Sequence, residues 1–184
     1  RLHSTAQAHH RVMVVETMGR YAGWLALVGG ISGGGDIILI PEIPYEIEHV
    51  CRRVRERNRR GKRFSIVVVS EGVKTPTGDM VVRETVEESH DPVRLGGIGM
   101  WLARRIQDET DISSRAVVLG HVQRGGTPTA YDRVLATRLG TEAMQLLAQG
   151  VSGVMVGLRG TMIEPVPLTD VADRQRLVTP DSHY

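Results

Sequence analysis

Five short runs of mostly aliphatic residues, Arg11 to Val15, Asp36 to Ile40, Ser65 to Val69, Ala116 to Leu119 and Val154 to Leu158, recur along this chain with helical patterns between them. Most are apolar at successive positions rather than at alternate ones. A strand that is apolar on both sides is buried on both faces, the condition of a parallel strand covered by helices. Strand alternating with helix therefore predicts a doubly wound α/β fold, a mainly parallel sheet of five or more strands with helices on both faces. Three helix stripes are legible: Ile47, Val50, Cys51 and Val54; Leu95, Ile98, Leu102 and Ile106; and Leu135, Leu139, Ala143 and Leu146. The 184 residues hold no linker or low-complexity tract and read as one domain, with a less regular tail from Ile163 to Tyr184.

Composition narrows the class of function. The chain has 23 Lys and Arg against 21 Asp and Glu, a net charge of +2, which is not the excess of a general nucleic-acid or membrane polyelectrolyte. From Arg52 to Arg63 eight basic residues face only Glu56; no aromatic interleaves them for base stacking, and they read as the solvated side of a helix. The single cysteine, Cys51, closes no intrachain disulfide and builds no thiolate metal site. No uncharged apolar stretch reaches the roughly 18 residues of a membrane span, and the opening residues lack a signal core. A soluble, cytoplasmic protein without nucleic-acid or membrane partners is expected.

Glycine is frequent, at 21 residues. Gly19, Gly23, Ala26, Gly30 and Gly33 repeat at steps of three and four, predicting a helix face almost without side chains. Each glycine costs a helix about 1 kcal/mol relative to alanine, so the stripe calls for a close neighbour, with sheet or helix packing favoured and a ligand near its start left open.

In open parallel sheets ligands gather at the carboxyl ends of the strands, beside free helix N–H groups. After the first strand comes Glu16-Thr17-Met18-Gly19-Arg20, with Arg20 at the expected start of the glycine-rich helix, a poor place for a cation unless an anion joins it. After the third comes Ser70-Glu71-Gly72, whose carboxylate suits either sugar hydroxyls or a structural cap. The densest constellation is Leu119-Gly120-His121-Val122-Gln123-Arg124-Gly125-Gly126-Thr127-Pro128-Thr129-Ala130-Tyr131-Asp132-Arg133. Guanidinium groups grip phosphate through two donors, histidine adds another, and glycines let backbone N–H groups approach the same anion. A phosphate site is the expectation, with Asp132 structural. His9 and His10 lack the further ligands of a metal site. A Walker loop fails because Glu56 stands where glycine would precede Gly61-Lys62, and no dinucleotide fingerprint has the right spacing.

These segments, with Met18-Gly19-Arg20-Tyr21-Ala22-Gly23 and Leu39-Ile40-Pro41-Glu42, resemble the phosphofructokinase family, in order from about Leu2 to about Leu168. The resemblance is to the C-terminal half of that family. It implies that these residues form the substrate-binding part, and that the nucleotide-binding half, with its phosphate loop and general-base aspartate, lies outside them. By resemblance, Arg11, Arg115, His121 and Arg124 hold the 6-phosphate of fructose 6-phosphate, Arg11 and Arg115 reaching a neighbouring subunit's site in a homo-oligomer, a tetramer in the family. Met18 and Gly19 line the sugar through backbone, Glu71 accepts its hydroxyls, and Arg20 faces the transferring phosphoryl group. Gly34, Asp36, Arg60 and Lys62 map to an effector site for a nucleotide diphosphate or phosphoenolpyruvate; Asp36 and Phe64 depart from the family's glutamate and histidine there, which puts allosteric regulation in question.

The implied activity is transfer of the γ-phosphoryl of ATP, carried with magnesium, to the 1-hydroxyl of fructose 6-phosphate in glycolysis, with this segment alone inactive and holding no metal site. The rivals are pyrophosphate as donor and a non-catalytic sensor of sugar phosphates or nucleotides.

Overall fold

The structure is a computed structural model describing residues 1–75, 77–85 and 93–183. It resolves into two compact units, residues 1–124 with 177–184, and residues 125–176, where the sequence reads as one domain. In the first unit, β1 (Val12–Thr17), β2 (Ile37–Leu39), β3 (Ser65–Ser70) and β6 (Ser114–Val118) form a four-stranded parallel sheet in the order β2-β3-β1-β6. The helix α1 (Leu2–Ala8) precedes β1, and α2 (Trp24–Ser32), α3 (Ile47–Arg59) and α4 (Ile98–Thr110) run between the strands; β4 (Val82–Thr85) and β5 (Val93–Leu95) pair antiparallel just before α4.

The pleat divides each central strand between two cores. Val12, Val14, Val67 and Val69 pack with Ile47, Val50, Cys51 and Val54 of α3 and Ile98, Leu102 and Ile106 of α4. Met13, Val15, Ile66 and Val68 pack with Ala6 of α1 and Ala26 of α2. Continuous apolar runs are the sequence form of this two-sided burial. Burial pushes the Cys51 thiol up to about 11, with the nearby Glu109 carboxylate adding to the effect, so Cys51 behaves as a small inert core residue.

Several expectations need correction. The parallel sheet has four strands, because the fifth run falls in the second unit as β7 (Val154–Arg159), paired antiparallel with β8 (Met162–Pro167). Only a turn through Gly160, at φ +60°, separates β7 from β8, and parallel pairing needs a crossover of a dozen residues or so. Leu95 belongs to β5 rather than to the α4 stripe, because Gly96 and Gly97 stand at φ +142° and +103° and break the chain there. The stripe Leu135, Leu139, Ala143 and Leu146 lies on α5 (Ala130–Ala148), yet no residue of that helix is buried, since one hairpin and the short α6 (Leu168–Val171) offer too little apolar surface. The tail is partly regular: it contributes most of β8 and α6, and Val178 is buried in the core beside α2.

The glycine stripe is a packing feature. A Cβ on Gly23 would lie 2.4 Å from Ile40 Cβ, and one on Gly30 would lie 2.7 Å from Ile38 Cδ1. The helix is shorter than the stripe: Gly23 is its N-cap and Gly33 its C-cap, with Gly19 well outside. Arg20 therefore precedes the first helical turn, and the expected conflict with the helix dipole does not arise.

Candidate functional site at the carboxyl end of the sheet

β1 ends at Thr17, and the loop that follows is fixed by main-chain bonds to three other elements. Met18 N–H donates to Gln123 Oε1 at 2.7 Å, and Gly19 N–H donates to Glu71 Oε1 at 3.1 Å. Ser70 Oγ and Gly72 N–H both donate to the Gly19 carbonyl, at 2.6 and 3.0 Å. Gly23 N–H donates to both carboxylate oxygens of Glu42 at 3.0 and 3.1 Å, and Glu42 Oε1 also accepts Val178 N–H at 2.9 Å. Glu42 thus joins the entry of α2 to the returning tail. Gly19 sits at φ +139°, a region that L side chains rarely adopt. A Cβ on Gly72 would fall 1.7 Å from the Arg20 carbonyl oxygen, so these two backbones touch.

The structure brings Met18, Gly19, Arg20, Glu71, His121 and Arg124 to the carboxyl ends of β1, β3 and β6. His121 and Arg124 lie on a 3-10 turn, Gly120–Arg124, that follows β6 directly. Both are exposed. The Arg20 guanidinium carbon stands 5.8 Å from the Tyr21 ring centre. Glu71 spends one oxygen on Gly19 N–H, a structural bond between the β3 end and the loop after β1. The N–H groups of Met18 and Gly19 are already used within the chain.

Arg11 and Arg115 are elsewhere. Arg11 precedes β1, and Arg115 pairs with Met13 near the start of that strand, so both sit at the amino end of the sheet. Six steps of strand at about 3.3 Å each put Arg11 about 20 Å along β1 from the loop at its carboxyl end, and Arg115 stands three steps, about 10 Å, before the end of β6. Arg115 lines a shallow cleft of about 600 Å³ with Gln107, Asp108, Asp111 and Ser113, and donates to Gln107 Oε1 and the Ser114 carbonyl. Arg11 Nε is buried without a hydrogen-bond partner among the described residues. Gly34, Asp36, Arg60 and Lys62 also lie toward the amino end. Gly34 is at φ +69°, and Arg60 and Lys62 are exposed past the end of α3. Asp36 is bound inside the fold: its carboxylate pairs with Arg57 at 2.6 Å and accepts Ile66 N–H at 2.8 Å. Phe64 packs edge-on against His3, with ring centres 5.8 Å apart.

Sequence reasoning missed Glu16. It is 2 % exposed, and its carboxylate accepts Gly97 N–H and Gly99 N–H, capping α4 from the end of β1. An acid inside an otherwise apolar strand was the available signal. Glu16→Ala is expected to lower the free energy of unfolding by about 3 kcal/mol or more, because two buried donors lose a charged acceptor; urea denaturation measures it. Asp132 proves structural. It forms a capping box with Thr129 at the start of α5, and the Thr129 hydroxyl, followed by the Thr129 N–H, holds its carboxyl below the ordinary range. A lowered folded-state pKa adds stability above the unfolded value that is lost as pH falls through the folded one, so this cap weakens only in acid.

Among the described residues no group of three His, Cys, Asp or Glu side chains converges as a metal site. Among them, too, no helix is long and apolar enough to cross a membrane.

The family model described as Phosphofructokinase matches residues 1–147. An ATP-dependent 6-phosphofructokinase of Spirochaeta thermophila is 50% identical over 181 residues, covering 98% of this chain and 50% of the relative. A pyrophosphate–fructose 6-phosphate 1-phosphotransferase of Streptomyces coelicolor is 49% identical over 180 residues, covering 98% and 52%. Among solved structures, the pyrophosphate-dependent phosphofructokinase of Marinobacter aquaeolei superposes with a TM-score of 0.75 at 25% identity, over 96% of this chain and 44% of that one. The chain thus spans about half the length of the curated relatives it matches.

Proposed function

Because this chain belongs to the phosphofructokinase family, we propose that it supplies the acceptor side of a phosphotransferase that places a phosphoryl group on the 1-hydroxyl of fructose 6-phosphate. The observation that supports this most is the gathering of Arg20, Glu71, His121 and Arg124 at the carboxyl ends of neighbouring parallel strands, where open α/β sheets take their ligands. Phosphoryl transfer asks a protein chiefly to position acceptor and donor and to offset spread negative charge. In this reading His121 and Arg124 grip the sugar's phosphate, Glu71 accepts from its hydroxyls, and Arg20 faces the moving phosphoryl group.

Arg11 and Arg115, at the far end of the sheet, serve the site of an adjoining copy, which makes the active form a homo-oligomer. The donor cradle and the general base belong to a half not contained in these 184 residues, and this segment alone binds the sugar phosphate without turning it over. In this reading magnesium accompanies ATP, with the donor and metal sites mainly on that other half, and no step here runs through it. A cytoplasmic, glycolytic setting follows from the same reading. Effector control through Gly34, Asp36, Arg60 and Lys62 would require an effector to compete with Arg57 for Asp36.

ATP is the donor in this proposal. The pyrophosphate reading stands beside it because a relative named for pyrophosphate is 49% identical to this chain. Initial rates of the complete enzyme with each donor separate the two. For the sugar site, Arg124→Ala in the complete enzyme is expected to raise the KM for fructose 6-phosphate about 10- to 100-fold, the cost of a charge-assisted contact. Unchanged sugar kinetics would remove Arg124 from the site.

A further inference from the structure

We propose that Gln123 is a positioning residue: it holds the turn Gly120–Arg124 in register with the Met18–Arg20 loop, and so sets the sugar-phosphate grip against the arginine that meets the transferred group. The inference rests on the sugar-phosphate reading above. The side chains of His121 and Arg124 are exposed and make no hydrogen bond or ion pair among the described residues, so neither side chain ties down the turn that carries it. Backbone bonds join the turn to its own strand: Val122 N–H reaches the Leu119 carbonyl, and Leu119 N–H reaches the Glu16 carbonyl.

The side-chain bridge from the turn to the loop is Gln123 Oε1 accepting Met18 N–H at 2.7 Å, between residues 105 apart in sequence. Because the loop group is a backbone N–H, only an acceptor serves there, which orients the Gln123 amide. Gly19, the next residue, is held from the opposite side by Glu71. Two adjacent peptide N–H groups are therefore clamped by Gln123 and Glu71, and Arg20 follows immediately. Gln123 tunes alignment from within the chain, and Glu71 keeps an oxygen for the substrate.

The test uses the complete enzyme. Gln123→Met keeps the volume and loses the acceptor. Gln123→Glu keeps the acceptor for Met18. A displacement near 1 Å costs about 100-fold in a reaction that depends on alignment. In Gln123→Met, kcat/KM for fructose 6-phosphate is expected to fall by about that factor while the KM for the donor stays within about twofold. Amide hydrogen exchange at Met18 is expected to accelerate in Gln123→Met and to stay slow in Gln123→Glu. If Gln123→Met does not fold, Gln123→Asn, one methylene too short, takes its place with the same expectations. A folded variant with a fast-exchanging Met18 amide and wild-type sugar kinetics would overturn the proposal, as would a Met18 amide indifferent to all three substitutions. The exchange result does not depend on the substrate: a wild-type enzyme without turnover of fructose 6-phosphate would defeat the functional reading, while Met18 exchange would still decide whether the clamp exists.

Discussion

Replacing Arg20 by alanine is expected to cut kcat of the complete enzyme by about 10³-fold, the scale on which an arginine offsets charge developing on a transferred phosphoryl group, with much less change in the KM for fructose 6-phosphate. The fold holds the Arg20 backbone from both sides. Gly19 before it is fixed by Glu71, Ser70 and Gly72, and the N-cap Gly23 after it is fixed by Glu42, so the residues on both sides of Arg20 are anchored. Arg20→Lys should recover only a small part of the loss, because an ammonium does not reproduce the planar fork of donors. Steady-state kinetics with saturating donor make the measurement. A wild-type kcat in Arg20→Ala would take this residue out of the chemistry.

The second large effect is expected from Gly72→Ala. The added methyl group would stand 1.7 Å from the Arg20 carbonyl oxygen and 2.5 Å from its carbonyl carbon. These are backbone atoms, and no rotamer change relieves the clash. Either the loop moves or the strand end does, at about 3 kcal/mol or more of stability, on the scale of forced overpacking. Turnover should fall with it, since the displaced atoms belong to Arg20. Gly29→Ala is the matched control: a Cβ there meets nothing within 4 Å, and the site lies inside α2, so stability should hold or rise by up to about 1 kcal/mol. Urea midpoints and kcat on both variants decide. A Gly72→Ala enzyme of normal stability and rate would mean that the contact with Arg20 is not tight.

The sheet was legible because burial on both faces leaves an unambiguous trace. Val12 to Val15 and Ile66 to Val69 are apolar at every step since alternate residues enter two different cores. The carboxyl-end residues were legible for the same reason: once the strands are located, their ends are located. Three things were hidden. A run such as Val154 to Leu158 looks the same in a parallel sheet and in a hairpin, and only its partner decides. The glycine stripe overstated α2 because Gly19 and Gly23 serve the turn before the helix, and a repeat at helical spacing does not distinguish a turn from the helix it leads into. The capping by Glu16 and the tether from Gln123 join residues 81 or more apart in sequence, contacts that no local pattern encodes. The separation of Arg11 and Arg115 from His121 and Arg124 follows from strand direction alone.

A crystal structure of the complete enzyme with fructose 6-phosphate bears on this account most directly. The account predicts the sugar's phosphate against His121 and Arg124 of one protomer, with Arg11 and Arg115 reaching it from an adjoining copy. A phosphate bound away from the turn Gly120–Arg124, with those two side chains facing solvent, would contradict it.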